Sequence, residues 1–551
     1  MTKEIKKKVT PPKKSPKQED KDWLSRLEDY ISQHERVFLF VTLALTLLLS
    51  FLMFDVKMSE GNDDSDYIEG AFKFSRDASS YYNTKAPLYP MLLSVPVTIW
   101  GINVPLLKSL SILFNLLQLF VLYLAFRKTV PFTILFGVLL FTATNSYFQY
   151  YASQTYTEAF FCMLQAMFFL FIVRTINTAY KGFDKNYFWA GAILFLLTLT
   201  KNISIGAILA VLLFFVVIKE YKKLLFILGS FAVLRVPFEI LKSSIWGSEN
   251  QFSNQYQILI QKDAYDASKG TDDFFGFLGR LADNTSIYIG KRYYQILGLV
   301  SEDKTTFNNG LVFIFIVLMI IALIAILKQK NRILLFALFY VVIMMGMTFF
   351  VLQTNWDQPR MILVYVPLTL LIIFYGLYHI FGKQRVARNI IFSLFFILFT
   401  FGGLFKTLGK AGNNVHVLEK NLAGDIYYGY TEDWSNFLKL SRYCADSLPP
   451  NSLVASRKAP MSFIYGRGKE FYPIYTVISS DPDSSLAILK KEKVTHVLIA
   501  SLRRNPKKND GFVINTLHRI FMPIAQKYPK KLVLIKQIGN SEPAYLYEIK
   551  Y

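Results

Sequence analysis

Gly61-Asn62-Asp63-Asp64-Ser65-Asp66-Tyr67-Ile68-Glu69 places four carboxylates, Asp63, Asp64, Asp66 and Glu69, within seven positions. It follows Val37 to Val56, an apolar run of 20 residues, and about that many helical residues cross a hydrocarbon core of roughly 30 Å. Ionisable groups beside a membrane span are costly and usually have a partner or a task. Carboxylates this close raise one another's pKa, which suits a general base and equally suits cation binding. A solvated loop whose Asp64 or Ser65 caps the next helix, with Glu69 in its first turns, accounts for the same residues.

The surrounding composition fixes the class. The chain has 551 residues, of which 53% are hydrophobic, with 50 Phe and 33 Tyr, and its mean hydropathy is +0.32. That is a polytopic membrane protein. The formal net charge of +22 is spread over loops and tails, where Lys and Arg report topology and anionic lipid, so no nucleic acid is expected as a partner. Cys162 and Cys444 lie in dissimilar segments and build no disulfide framework.

Residues 1–36 form a basic tail that the positive-inside rule places in the cytoplasm, and the lack of a small-residue cleavage site reads as a retained anchor. About eleven spans follow, from Val37 to Val56 up to Ile390 to Phe405, which puts the C-terminus outside. Basic clusters at Arg127, Lys219 to Lys223, Lys328 to Arg332 and Lys383 to Arg388 fall on the cytoplasmic side. Long outer loops are expected over 57–104 and 239–310, with Leu88 to Trp100 and Phe274 to Leu299 as interfacial helices. Residues 37–408 are the expected membrane domain. Residues 409–551 read as a soluble extracytoplasmic α/β domain, with strands at Leu453 to Ser456, Tyr472 to Ile478, Val494 to Ala500 and Lys531 to Ile538, and helices at Glu432 to Ser447, Ser484 to Glu492 and Val513 to Lys527.

On that topology the outer face collects further ionisable groups. Glu158 opens a span within Thr155-x-x-Glu158, which matches a capping box. Lys85 and Lys201 are cations at the interface, where snorkelling is the ordinary explanation. Arg360 stands on the wrong side for a topology signal and suits either Asp357 or a bound phosphate. The five histidines lack metal-ligand spacing, Gly466-Arg-Gly-Lys lacks phosphate-loop spacing, and no Gly-x-Ser-x-Gly elbow occurs.

Taken together these residues resemble GT-C membrane glycosyltransferases, in particular the bacterial branch related to protein mannosyltransferases and the aminoarabinose transferases of lipid A. Asp63-Asp64-Ser-Asp-Tyr67 is similar to that branch's first-loop acidic pair followed by Tyr. Lys85-Ala-Pro-Leu-Tyr-Pro is similar to its Lys-Pro-Pro-Leu-Tyr element, with Ala86 in place of the first Pro. Gln154-Thr-Tyr-Thr-Glu158 resembles its second-loop acid, Leu199-Thr-Lys201 its Leu-Thr-Lys turn, and Pro359-Arg360 with Tyr365 and Pro367 its late Arg segment. No Trp-Trp-Asp sequence occurs, unlike the asparagine-linked oligosaccharyltransferases.

The resemblance implies a GT-C fold in the plasma membrane and inverting transfer from a polyprenyl-phosphate sugar to a lipid, glycan or protein of the cell envelope. It implies Asp63 or Asp64 as the base, Asp66 and Glu158 as acidic support, and Lys85, Lys201 and Arg360 on the donor phosphate. A divalent metal at the acids stays open. A lipid-linked-sugar transporter is the alternative, but transporters keep ionisable groups at mid-membrane and show internal repeats; here the acids gather on one side.

Overall fold

The computed structural model describes residues 22–81, 85–247, 259–263, 269–382, 384–506 and 511–551. The tail expected over Lys3 to Lys21 lies outside them, as does Lys383. Each of the eleven apolar runs is helical, although the run from Met361 to Phe381 is divided between helices Arg360–Leu363 and Val366–Ile380. Among the described residues seven helices are long and apolar enough to cross a membrane: Glu35–Leu52, Val104–Phe126, Thr157–Asn177, Tyr221–Trp246, Asn309–Lys328, Arg332–Val351 and Arg385–Leu422. Four shorter apolar helices accompany them: Leu88–Trp100, Phe132–Thr144, Asn202–Val217 and Val366–Ile380.

Helix Thr157–Asn177 is the axis of this bundle, buried along most of its length and packed between Val104–Phe126 and Lys185–Thr200. Its Gln165 shows how an interior polar group is tolerated. Pro367 lacks the N–H that would continue a helix from Leu363, and the chain breaks between helices Arg360–Leu363 and Val366–Ile380. Gln165 donates to the freed Val364 carbonyl at 2.8 Å and accepts from the Tyr340 hydroxyl at 3.1 Å. Helices Asn309–Lys328 and Val366–Ile380 meet at Gly376, where a Cβ would stand 2.5 Å from the Cα of Ala322. Gly376→Val is expected to force these helices apart and to cost about 1–3 kcal/mol, read as a lower Tm of the purified protein in detergent. An unchanged Tm would show that the close approach is dispensable.

The basic turns gather at one end of the bundle. Arg332 pairs with Glu220 at 3.1 Å, Asn331 donates to the Thr129 carbonyl at 3.2 Å and Lys223 to that of Thr175 at 2.9 Å. The acidic stretch and the sheet-bearing unit occupy the other end.

Three elements differ from the sequence expectation. Helix Tyr221–Trp246 runs through Pro237, so the expected loop from Glu239 opens with two more helical turns. Helix Phe274–Ile287, expected to lie at the interface, packs on helix Arg332–Val351: Arg280 and Asn284 are buried, and Asn284 donates to the carbonyls of Phe349 and Leu352 at 2.8 Å each. The final helix continues to Leu422, beyond Leu408.

The C-terminal unit holds a five-stranded sheet in the order β2-β1-β3-β5-β4, with β1 Leu453–Ser456, β2 Phe471–Pro473, β3 Val494–Ala500, β4 Leu532–Ile538 and β5 Ala544–Ile549. Strands β2, β1 and β3 are parallel, and β5 runs antiparallel to β3 and β4. Helices cover both faces, as parallel strands require. Trp434, Phe437 and Met461, from helices Glu432–Ser447 and Ala459–Tyr465, join the core that is continuous with the membrane bundle. Leu486, Leu489, Ile520 and Ile524, from helices Pro482–Lys491 and Thr516–Lys527, form a second, separate core.

Candidate active site

The acidic stretch begins a helix, Asp63–Arg76, but not with the cap expected. Asn62 is its N-cap, in the left-handed region at φ 76°, so Asp63, Asp64 and Asp66 all lie in the first turn, where the helix dipole favours negative charge. The preceding residues are fixed from three sides. Lys458 donates to the Glu60 carbonyl at 2.6 Å, and Asn62 Oδ1 accepts from the Met461 N–H at 3.3 Å. Ser59 Oγ lies 2.6 Å from the Tyr156 hydroxyl. Gly61 passes so close to that hydroxyl that a Cβ would stand 2.7 Å from it, so a larger residue there would displace the Tyr156 hydroxyl.

The two adjacent aspartates have opposite fates. Asp64 is fully buried and points back into its own loop, accepting from the Ser59 N–H at 2.7 Å, Ser59 Oγ at 3.0 Å and the Ser65 N–H at 2.8 Å. Burial outweighs these hydrogen bonds and pushes its carboxyl up to about 6. Asp63 faces a cavity of about 1080 Å³. There it pairs with Lys85 at 2.9 Å and with the Arg360 guanidinium. Burial alone would raise its pKa, but the two cations outweigh burial and hold it well below the usual carboxylate range. Lys85 also pairs with Asp66 at 2.6 Å and lies 4.5 Å over the Tyr67 ring.

Asp64 gives a stability prediction with a definite sign. Its carboxyl titrates near 3.8 when exposed and about 6 in the fold, so between these values the folded chain holds a proton that the unfolded chain has released. The stability from this group is complete below pH 3.8 and lost as pH rises through about 6, a change of about 3 kcal/mol. Asp64→Asn does not titrate and keeps an acceptor for one of the two loop N–H groups, its amide nitrogen facing the other, so the pH dependence of the difference in Tm is what is read. The variant is expected to gain on the wild type in Tm between pH 4.5 and 7; a difference independent of pH would contradict the burial account.

Glu158 does not close a capping box: its helix starts at Thr157 with Tyr156 as N-cap and no side-chain cap bond. It pairs instead with Lys201 at 2.9 Å, where helix Lys185–Thr200 ends. Its second oxygen, Oε2, is buried with no hydrogen-bond partner among the described residues. Arg360 does not take Asp357, which is held by Lys291 at 2.5 Å and Arg292 at 2.7 Å. Its Nε donates to Gln358 at 2.6 Å, and its guanidinium lies 5.2 Å over the Tyr156 ring.

Asp63, Lys85, Glu158, Lys201 and Arg360 therefore line one cavity, whereas Asp64 and Asp66 are not on its wall. The donor set does not fit a divalent cation. Asp63 is committed to two cations and Asp64 to backbone and hydroxyl donors, and among the described residues no three His, Cys, Asp or Glu side chains converge. Sequence reasoning missed Ser59 and Tyr156, which hold the loop, and the far wall of Tyr475, Thr476, Val477 and Arg519 from the C-terminal unit. It also missed the buried pair Lys108–Asp55, 2.5 Å apart, although a lysine inside the apolar run Pro105 to Phe126 was its signal.

No family model and no curated protein sequence matches the chain. Solved structures do. ArnT from Cupriavidus metallidurans bound to undecaprenyl phosphate is 12% identical, with a TM-score of 0.56 over 92% of this chain and 97% of that one. The Archaeoglobus fulgidus oligosaccharyltransferase in its apo form is 11% identical, with a TM-score of 0.53 over 84% of this chain and 69% of that one. The same enzyme tethered to an acceptor peptide gives 11% identity and a TM-score of 0.53 over 94% and 75%. The described helices and the single C-terminal sheet thus have the GT-C fold, the architecture of these membrane glycosyltransferases.

Proposed function

We propose that the chain transfers a sugar, with inversion, from a polyprenyl-phosphate donor to a hydroxyl of a cell-envelope acceptor on the outer face of the membrane. The observation that carries this reading is one cavity in which the Asp63 carboxylate stands beside Lys85, Lys201 and Arg360, with Glu158 paired to Lys201. Apolar Ile203, Ile205, Val351 and Met361 line the same cavity, which suits a ligand with a charged head and a hydrocarbon tail. The relatives in fold support it: one holds undecaprenyl phosphate and another an acceptor peptide. The outer-face assignment rests on the basic turns gathered at the opposite end.

Each group then has a role. As the bond from C1 to the donor phosphate breaks, the departing oxygen gains charge, which Lys85, Lys201 and Arg360 stabilise without a proton. Asp63 takes the proton of the acceptor hydroxyl as that oxygen attacks C1. By pKa alone Asp64 would be the better base, but it has no face on the cavity, and reach to the proton decides before basicity does. Asp63 is a weak base while Lys85 and Arg360 hold it. A donor phosphate that draws those cations away raises its basicity, so the base strengthens when donor is bound. Asp66 keeps Lys85 in place during that exchange. Glu158 aims Lys201.

The test is transfer from radiolabelled undecaprenyl-phosphate sugars by the purified protein in detergent, with a cell-envelope extract as acceptor. Detergent abolishes the two sides a transporter needs, so labelled product marks a transferase. Labelled sugar that stays on its carrier across all the sugars tried would favour the transporter.

A further inference from the structure

The cavity has two walls of different charge character. On the membrane side each cation is matched: Lys85 by Asp63 and Asp66, Arg360 by Asp63, Lys201 by Glu158. On the far wall, supplied by the C-terminal unit, stands Arg519. Its guanidinium makes no ion pair, hydrogen bond or ring contact among the described residues. It lies in the first turn of helix Thr516–Lys527, where unsatisfied N–H groups and the dipole favour an anion. A second guanidinium comes to the same helix start: Arg457 Nε donates to Thr516 Oγ1 at 3.3 Å, and the group lies 5.7 Å from the centre of the Tyr475 ring. Tyr475 lines the cavity beside Arg519. Among the described residues, no carboxylate of the C-terminal unit lines it.

We infer that Arg519, with Arg457 behind it, binds an acidic group of the acceptor, a phosphate or carboxylate carried close to the hydroxyl that is glycosylated. The inference rests on the transferase reading, and it explains why the second wall is needed. An acceptor held only by the membrane wall would compete with the donor phosphate for the same cations. A guanidinium on the opposite wall holds the acceptor's charge apart from the donor's, with Asp63 facing the space between. Arg suits the task because its fork takes two oxygens of one phosphate or carboxylate. The charge-bearing acceptor has two sources, a lipid headgroup or a water-soluble glycan, and both present the same chemistry to Arg519.

Two probes separate the sources: glycerol 3-phosphate added in solution, and phosphatidylglycerol incorporated into phosphatidylcholine nanodiscs. The full chain, wild type, Arg519→Gln and Arg519→Lys, is titrated with each, and undecaprenyl phosphate affinity is measured on the same samples. The expected result is that Arg519→Gln weakens at least one probe tenfold or more, Arg519→Lys recovers part of the loss, and undecaprenyl phosphate binds all three alike. The probe that responds names the source. Equal binding of both probes to wild type and Arg519→Gln overturns the inference, even where undecaprenyl phosphate binds. Failure of undecaprenyl phosphate to bind the wild type counts against the donor reading alone, since the response of the anionic probes to Arg519→Gln is scored independently. Arg519 is exposed, so its substitution leaves folding intact.

Discussion

Asp63→Asn is expected to lower sugar transfer by roughly 10²- to 10⁴-fold, the usual contribution of a general base, while Asp64→Asn keeps most of it. The contrast follows from orientation. Asparagine at 63 removes the carboxylate that meets both Lys85 and Arg360 at the cavity wall, whereas at 64 it replaces a carboxylate that serves its own loop. Asp63→Asn also releases Arg360 from its carboxylate, so undecaprenyl phosphate should bind the variant as tightly as the wild type or more tightly. Lost turnover with retained donor affinity is a signature that mere misfolding would not produce. Transfer at the wild-type rate by Asp63→Asn would remove Asp63 from the role of base.

Arg360→Ala is expected to weaken undecaprenyl phosphate binding by about 30-fold or more. The basis is the roughly 2–5 kcal/mol lost when one partner of a buried charge pair is truncated. Arg360→Lys should recover only part of it, because an ammonium cannot reproduce the planar fork. Lys201→Ala should cost less at the phosphate, yet it strands the buried Glu158 carboxylate, so its Tm should fall as well. Both are read by titrating the purified proteins with undecaprenyl phosphate. An affinity unchanged by Arg360→Ala would leave that residue as a structural partner of Asp63.

Much of the architecture was legible because membrane insertion writes itself locally: a run of apolar residues and the basic turn after it need no knowledge of neighbours. The eleven runs and the gathering of basic turns at one end come from that. The strands were legible where both faces are buried, as in β3, whose Val494 to Ala500 boundaries agree. Strand β5 was missed because Ala544-Tyr-Leu-Tyr-Glu-Ile549 is short and partly polar and becomes a strand only by pairing with β3 and β4. Helix Ala459–Tyr465 was missed for a similar reason: seven residues hold a helix only through tertiary contact.

Five charged residues of the cavity wall, Asp63, Lys85, Glu158, Lys201 and Arg360, are legible in the sequence, but their pairings and the sixth, Arg519, are not. Glu158 finds Lys201 across 43 positions and Arg360 finds Asp63 across 297; local reasoning offered the nearer Thr155 and Asp357 instead. Proximity in sequence is a poor guide where helices set side by side residues hundreds of positions apart. The choice between Asp63 and Asp64 was hidden for another reason. It turns on whether the Ser59 N–H faces the helix start, a matter of backbone direction that residue types do not encode.

The link from Lys458 to the Glu60 carbonyl and from Met461 to Asn62 makes the C-terminal unit part of the mounting of Asp63. On the proposed function, exchange of that unit for one from another protein of this fold is therefore expected to change acceptor choice and catalytic rate together. A chimera that aims to redirect the acceptor alone has to carry Lys458, Met461 and the loop from Ser59 to Asp63 as one inseparable block.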